Sequence, residues 1–110
     1  MARKATLVVL SNPMPGSENQ YDDWYNHQHL DDVLAVPGVM SATRLVLRSP
    51  PVPGAAWQHC ALYEIEHDDP ASVLETLNAR AGTAAMPLSD AIDLAGVYAA
   101  VYEPFLAKSR

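Results

Sequence analysis

Four segments with the residue pattern of β-strands are spaced along this 110-residue chain, and their positions restrict the fold more than any other feature. Residues 5–10 and 39–48 are rich in β-branched and other apolar residues and contain neither proline nor glycine. Residues 57–67 alternate between two sets of side chains, and residues 94–103 form a last, largely apolar strand. Between the second and third strands, SPPVPGAA (49–56) predicts a proline-rich loop rather than a tight hairpin.

Two helical segments lie between these strands. The first is predicted to begin near Glu18 and to end before Pro37 and Gly38, because proline disfavours helix in the preceding residue and glycine commonly closes a helix. The second is predicted to begin at Pro70 after an Asp69 cap, with a buried stripe of Val73, Leu74, Leu77 and Ala81. The order βαββαβ predicts a ferredoxin-like α+β fold, an antiparallel four-stranded sheet with two helices on one face.

Both faces of the predicted sheet carry apolar side chains. In the first strand, Leu7 and Val9 point to one face while Val8 and Leu10 point to the other. The helices can cover one face only, and a monomer would expose the other as a large apolar patch. We therefore expect residues 1–110 to form a single domain that pairs as a homodimer.

Composition restricts the partners. Seven basic and thirteen acidic residues give a formal net charge of -6, which repels nucleic acid. The apolar run after the N-terminus is too short for a signal peptide or a membrane span, so a cytoplasmic protein without membrane contact is expected. The single cysteine, Cys60, excludes an internal disulfide.

Chemistry-bearing residues concentrate in the first helix, in YDDWYNHQH (21–29). At about 100° per residue, an α-helix would gather Tyr21, Trp24, Tyr25 and Gln28 on one side. The two histidines, separated by two positions, would point about 200° apart and could not chelate one ion. The helix is thus predicted to have an aromatic side and a solvated side.

His27 is predicted to lie on the solvated side. Asp23 and Asp31 are each four residues from it, and a surface ion pair is the simpler interpretation. A two-ligand metal contact from His27 and Asp31 is the alternative, but the sequence places no further ligands, so no metal site is expected.

His29 has a half-apolar environment in this pattern, with Tyr25 one turn before it and Val33 one turn after it. Burial and the carboxylate of Asp32, three residues on, would shift its pKa in opposite directions, as in a general base poised near neutrality. Asp32 or Tyr25 would hold the imidazole. The alternative is a buried histidine that is hydrogen-bonded into the core.

Other candidates lie on the strands. Tyr63 and Tyr98 could each bring a phenol to a pocket facing His29, although a packed aromatic residue is the simpler interpretation of each. Arg44 could bind a substrate carboxylate or pair with Asp32 or Glu64. His59 and Cys60 are neighbours on a strand, point to opposite faces and cannot form a nucleophile and base pair.

SNPMPG, YDDWYNHQHL, DDVLAVPGV and ATR resemble the EthD-like branch of the dimeric α+β barrel superfamily. The matching positions are Tyr21, Trp24, Tyr25, His29, Leu30, Val33, Pro37, Gly38 and Arg44. The resemblance covers about the first 45 residues and implies a homodimer of ferredoxin-like subunits, with a pocket between the sheet and the helices. The wider superfamily includes oxygenases, cyclases, isomerases, lyases and haem enzymes, so the fold does not name a reaction.

Two classes of function follow. The first is a cofactor-independent lyase, isomerase or cyclase acting on an apolar, aromatic or polyketide-like molecule, with His29 moving a proton and Tyr21 and Trp24 walling the pocket. The second is a non-catalytic, small-molecule-binding or accessory homodimer with the same pocket. Haem binding through a histidine is a minor third alternative.

Overall fold

The computed structural model describes residues 2–49, 53 and 57–110, and its strands form one antiparallel sheet. The strands are β1 (Arg3–Ser11), β2 (Val39–Val46), β3 (His59–His67) and β4 (Tyr98–Tyr102), and their order in the sheet is β2-β3-β1-β4. β1 pairs with both β3 and β4, and β3 also pairs with β2. This topology confirms the ferredoxin-like α+β fold predicted from the sequence.

Two helices complete the βαββαβ order. We name residues 18–34 α1; it consists of α-helical segments Glu18–Trp24 and Leu30–Leu34 on either side of a π-helical turn, Tyr25–His29. α2 spans Ala71–Arg80.

Several predicted boundaries differ from the structure or lie outside it. β2 ends at Val46 rather than Arg48, and β3 begins at His59 rather than Trp57. Pro70 caps α2 rather than opening it. Leu94–Gly96 form a 3-10 turn, which delays the start of β4 to Tyr98. The predicted loop 49–56 falls mostly outside the described residues.

The strand register separates the side chains of the sheet into two faces. Leu7 lies opposite Tyr63 in β3 and Val101 in β4, and these side chains point toward the helices. The core between sheet and helices contains large, fully buried side chains: Leu7, Tyr21, Tyr25, Val33, Tyr63, Ile65 and Val73. This layer positions the aromatic side of α1 directly against the sheet.

The opposite face of the sheet is covered by no described element. Val8 lies opposite Leu62 and Ala100 at its centre, and all three are only partly buried. Toward the edges, Leu45 is 47% exposed and Tyr102 is 50% exposed. The sequence predicted this second apolar face correctly.

Gly38 makes the turn from α1 into β2. Its φ of +96° lies in the left-handed region, where a residue with a side chain is strained. A Cβ at this position would also lie 3.0 Å from His67 Cδ2 and 3.3 Å from the Glu66 carbonyl oxygen. Glycine is therefore required both by backbone conformation and by the close approach of β3.

Candidate functional site

The buried side of α1 is a stripe of residues four positions apart. Tyr21, Tyr25, His29 and Val33 are all buried. In an ideal α-helix, a spacing of four drifts by about 40° at each step, which would turn the last of them well away from the first. The wider π turn offsets this drift, because it places five residues where an α-helix places four.

The π turn also decides the immediate neighbours of His29. The backbone N–H of Leu30 donates to the carbonyl oxygen of Tyr25, five residues back. Trp24, likewise five residues before His29, stacks on the imidazole with ring centroids 4.5 Å apart and planes 24° apart. In an α-helix, these two residues would lie about 140° apart. A constant α-helical period does not produce this stack, and it also misplaced Gln28, which was predicted on the aromatic side and is exposed.

The predicted contact between His29 and Tyr25 is confirmed. The Tyr25 ring meets the imidazole edge-on, with centroids 5.1 Å apart. Trp24 packs against Tyr25 as well, at 5.2 Å. His29 is therefore held between two aromatic rings of its own helix.

A cavity of about 240 Å³ lies beside His29, between the sheet and the helices. Trp24, Tyr25 and His29 line it from α1, Tyr63 lines it from β3, and Leu77 lines it from α2. Further apolar side chains come from β1, β4 and the chain between α2 and β4. The place that the sequence predicted for a pocket thus contains one.

The His29 imidazole is buried without a hydrogen bond at Nδ1 to any described residue. Its residue exposure is 9%. Burial lowers the pKa of His29 to about 4, and the negative charge of Asp32 offsets this only in part. The expectation of a pKa near neutrality was therefore wrong: the ring is neutral at physiological pH.

Asp32 does not hold the imidazole. Its carboxylate Oδ2 accepts a hydrogen bond of 2.9 Å from Gln28 Nε2, one turn back on the helix surface. Asp32 acts on His29 only through its charge. The predicted orienting role of Asp32 is corrected accordingly.

Tyr63 places a second buried polar group in the wall of the cavity. Its hydroxyl makes no hydrogen bond of normal geometry within the described part of the chain, although Tyr25 is close enough to act on its pKa. Burial raises the pKa of Tyr63 and raises that of Tyr25 to about 12. Both phenols therefore stay protonated at neutral pH and can donate a hydrogen bond.

Trp24 connects α1 to the chain segment that closes the cavity. Its indole Nε1–H donates to the Pro87 carbonyl oxygen at 3.1 Å. The same segment supplies Leu88, Ile92 and Leu94 to the cavity lining. Leu88 and Ile92 lie between the predicted second helix and the predicted last strand, where no strand or helix period marks them. Leu94 was predicted as the first residue of that strand but belongs to a 3-10 turn.

Arg44 lies outside the cavity lining, in a separate polar cleft of about 380 Å³. Its guanidinium donates to Asn26 Oδ1 at 2.8 Å and to Asp22 Oδ1 at 3.1 Å, and lies 3.2 Å from His59 Nδ1. It also stands 4.6 Å from the centroid of the Tyr25 ring. Arg44 therefore fixes α1 against the sheet. Of its two predicted roles the structure favours the ion pair, but the acidic partner is Asp22 and not Asp32 or Glu64.

Tyr21 and Tyr98 also differ from their predicted places at the pocket. Tyr21 is fully buried and shares a hydrogen bond of 2.6 Å with Ser11 Oγ, but it is not among the cavity-lining residues described. Tyr98 lies opposite Leu10 on the uncovered face of the sheet, where its hydroxyl contacts that of Tyr102. Tyr98 therefore does not face His29.

His27 lies on the solvated side of α1, as predicted. Its Nε2 is 3.8 Å from Asp23 Oδ1, and both side chains are more than three-quarters exposed. No group of three metal-ligating side chains occurs within residues 2–49, 53 and 57–110.

Comparison with known proteins supports the fold. No protein-family model matches the sequence, and a comparison with curated proteins found no match. A protein from Shewanella loihica PV-4, provisionally described as a monooxygenase, is similar in structure with a TM-score of 0.64 and 14% identity, over 97% of this chain and 99% of that chain. An EthD family protein from Bacillus halodurans C-125 is similar with a TM-score of 0.59 and 16% identity, over 96% of this chain and 100% of that chain.

These two structures share the ferredoxin-like α+β fold of this chain. The resemblance noted in the first 45 residues is thus confirmed as a likeness in fold that extends over nearly the whole chain. None of the helices that the structure describes combines the length and apolar character needed to cross a membrane.

Proposed function

We propose that this chain binds a small, mainly apolar molecule in the cavity beside His29 and moves a proton on it without a cofactor. The observation that carries the proposal is the pair of buried polar groups, the His29 imidazole and the Tyr63 phenol, in the wall of one mostly apolar cavity. Buried polar groups without partners are rare in folded proteins and call for an explanation. A ligand that hydrogen-bonds to the imidazole or the phenol supplies one.

The chemistry available to His29 follows from its neutrality. The neutral ring can accept a proton, but an imidazole whose pKa is about 4 is a weak base. It suits activated carbon acids, such as a carbon between two carbonyl groups, rather than an unactivated C–H bond. Tyr63 can donate a hydrogen bond to the carbonyl oxygen on which negative charge develops. Elimination, isomerisation or ring closure would follow from the resulting enolate.

Binding without turnover is the second candidate, and one observation favours it. In histidine-dependent catalysis, a third group usually orients the imidazole and stabilises its charged form. Here Nδ1 has no such partner and Asp32 is engaged with Gln28. If this second function is correct, the cavity binds the same class of ligand, and His29 contacts it as a neutral polar group without moving a proton.

One experiment with benzoylacetone, a neutral aromatic 1,3-diketone, distinguishes proton transfer by His29 from binding without turnover. Exchange of its central C–H with D₂O is followed by NMR, and binding is measured in parallel by calorimetry. If His29 is the base, the folded protein accelerates exchange and His29→Phe reduces the acceleration at least 100-fold, the lower end of the range of about 10²–10⁴ usual for general base catalysis. His27→Phe is the matched control and retains the full rate.

Each outcome has one interpretation. Binding without accelerated exchange supports the non-catalytic candidate. If His29→Phe accelerates exchange as much as the wild type does, His29 is not the base. Neither binding nor exchange contradicts the proposed site for this class of ligand.

A further inference from the structure

The polar groups of the cavity wall are all uncharged at neutral pH. Among the described lining residues, Trp24, Tyr25, His29, Tyr63 and Asn78 have polar side chains, and none is an aspartate, glutamate, lysine or arginine. Burial lowers the pKa of His29 and raises the pKa values of both tyrosines, so these groups are neutral too. The remaining lining side chains are aliphatic.

A carboxylate in this cavity would lose its hydration without gaining a cation. Transfer of an unpaired ion into a protein interior costs several kcal/mol even after relaxation. Arg44 stands close to Tyr25, but it is paired with Asp22 at 3.1 Å and opens into the other cleft. The negative charges of Asp32 near His29 and of the whole chain, formally -6, disfavour an anion further.

We propose that the cavity selects neutral ligands, with a carbonyl or hydroxyl group on an apolar body, and rejects the corresponding carboxylates. This selectivity rests on the proposed function, because it concerns the ligand of the same cavity. It assigns the ligand to ketones, esters, lactones or phenols rather than to organic acids. A reaction that supplies this ligand must therefore leave any acid group esterified, cyclised or removed.

A pair of probes of nearly equal shape tests the selectivity. Methyl 2-naphthoate and 2-naphthoate differ by one methyl group and one negative charge. Their affinities for the unmodified protein are measured by equilibrium dialysis at pH 7.5. We expect the ester to bind at least tenfold more tightly, and equal or tighter binding of the acid overturns the inference. If neither probe binds, the proposed binding site itself fails, so the two failures are distinguishable.

A single added charge provides the second measurement. Asn78 lines the cavity from α2 and is exposed, so Asn78→Lys places a cation at the cavity without a buried substitution. We expect it to shift the ratio of the two affinities at least tenfold toward 2-naphthoate. Ala79→Lys, at the next exposed position outside the described lining, is the matched control. Equal shifts in both variants would show that net charge, rather than the cavity wall, sets the preference, and would overturn the proposal.

Discussion

The position of His29 could be predicted from the sequence, but its pKa could not. Its position on the aromatic side of a helix and its contact with Tyr25 follow from a spacing of four residues. The direction in which its pKa moves depends on how completely other elements bury it and on the rotamer of Asp32. Neither is encoded in the local pattern, because Asp32 could reach His29 or Gln28 and the structure has it on Gln28.

The lowered pKa of His29 predicts a specific loss of stability in acid. In the unfolded chain His29 takes up a proton below about pH 6.5, whereas in the folded chain it stays neutral until about pH 4. The unfolded state therefore binds more protons in this window, and the free energy of unfolding falls as the pH falls through it. The His29→Phe variant has no imidazole at this position, so its free energy of unfolding lacks this pH dependence. Relative to that variant, the wild type should lose about 3 kcal/mol between pH 7 and pH 4.

Urea unfolding of both proteins at a series of pH values measures the difference, in which contributions from other titrating groups cancel. His27→Gln removes an exposed histidine and serves as the control, with a pH dependence that follows the wild type. A difference between wild type and His29→Phe that stays constant from pH 7 to pH 4 would show that His29 is not buried in its neutral form.

α1 shows the limit of periodicity as a guide to an element. The alternation of the strands and the Pro37 and Gly38 boundary were sufficient to place the elements, because they depend on two-residue periods and on backbone sterics. The π turn was not predicted, since an angular projection assumes one constant period. The same assumption misplaced Gln28 and missed the stack of Trp24 on His29.

A one-residue deletion tests the π turn. Removing His27, whose side chain is exposed, should let Tyr25–His29 relax into an α-helical turn while the flanking segments keep their faces. We expect this variant to unfold cooperatively, with a free energy of unfolding within about 2 kcal/mol of the wild type.

The control is a deletion in α2, which has no π turn. Removing the exposed Glu75 rotates Leu77 and Ala81 by about 100° off the core. That protein should lose more than about 3 kcal/mol or fail to fold. Urea unfolding compares the two, and equal losses would contradict the relaxation of the π turn.

At the scale of the whole molecule, the uncovered face of the sheet is the main apolar surface that no described element covers. Val8, Leu62 and Ala100 at its centre are bordered by exposed apolar residues, including Leu45 and Tyr102. A monomer rarely exposes a contiguous apolar surface of this kind. We propose that the chain forms one domain and that this face packs on the same face of a second copy, as the strand pattern predicted.

Leu62→Glu tests the proposed pairing at the centre of this face. A carboxylate there would be buried without a partner in the dimer but solvated in a monomer, so the dissociation constant should rise at least 100-fold, equivalent to about 3 kcal/mol. Sedimentation equilibrium measures the change. Ala79→Glu, on the exposed side of α2, adds the same charge in the other layer and should leave the association unchanged. A wild type that sediments as a monomer at all concentrations would contradict the pairing.

The wall of the cavity is joined across long stretches of sequence. Beside the bond from Trp24 to Pro87, the Met14 N–H donates to the Ala91 carbonyl oxygen at 2.6 Å, and the Asp93 N–H donates to the Asn12 carbonyl oxygen at 3.0 Å. Contacts between residues so far apart form slowly, because the entropy of loop closure is lost before the contact stabilises the chain. We therefore expect the cavity to be completed only after residues 12–24 have come together with residues 87–93. We expect an incompletely folded chain to lack the proposed binding site, so that occupancy by a ligand would report complete folding.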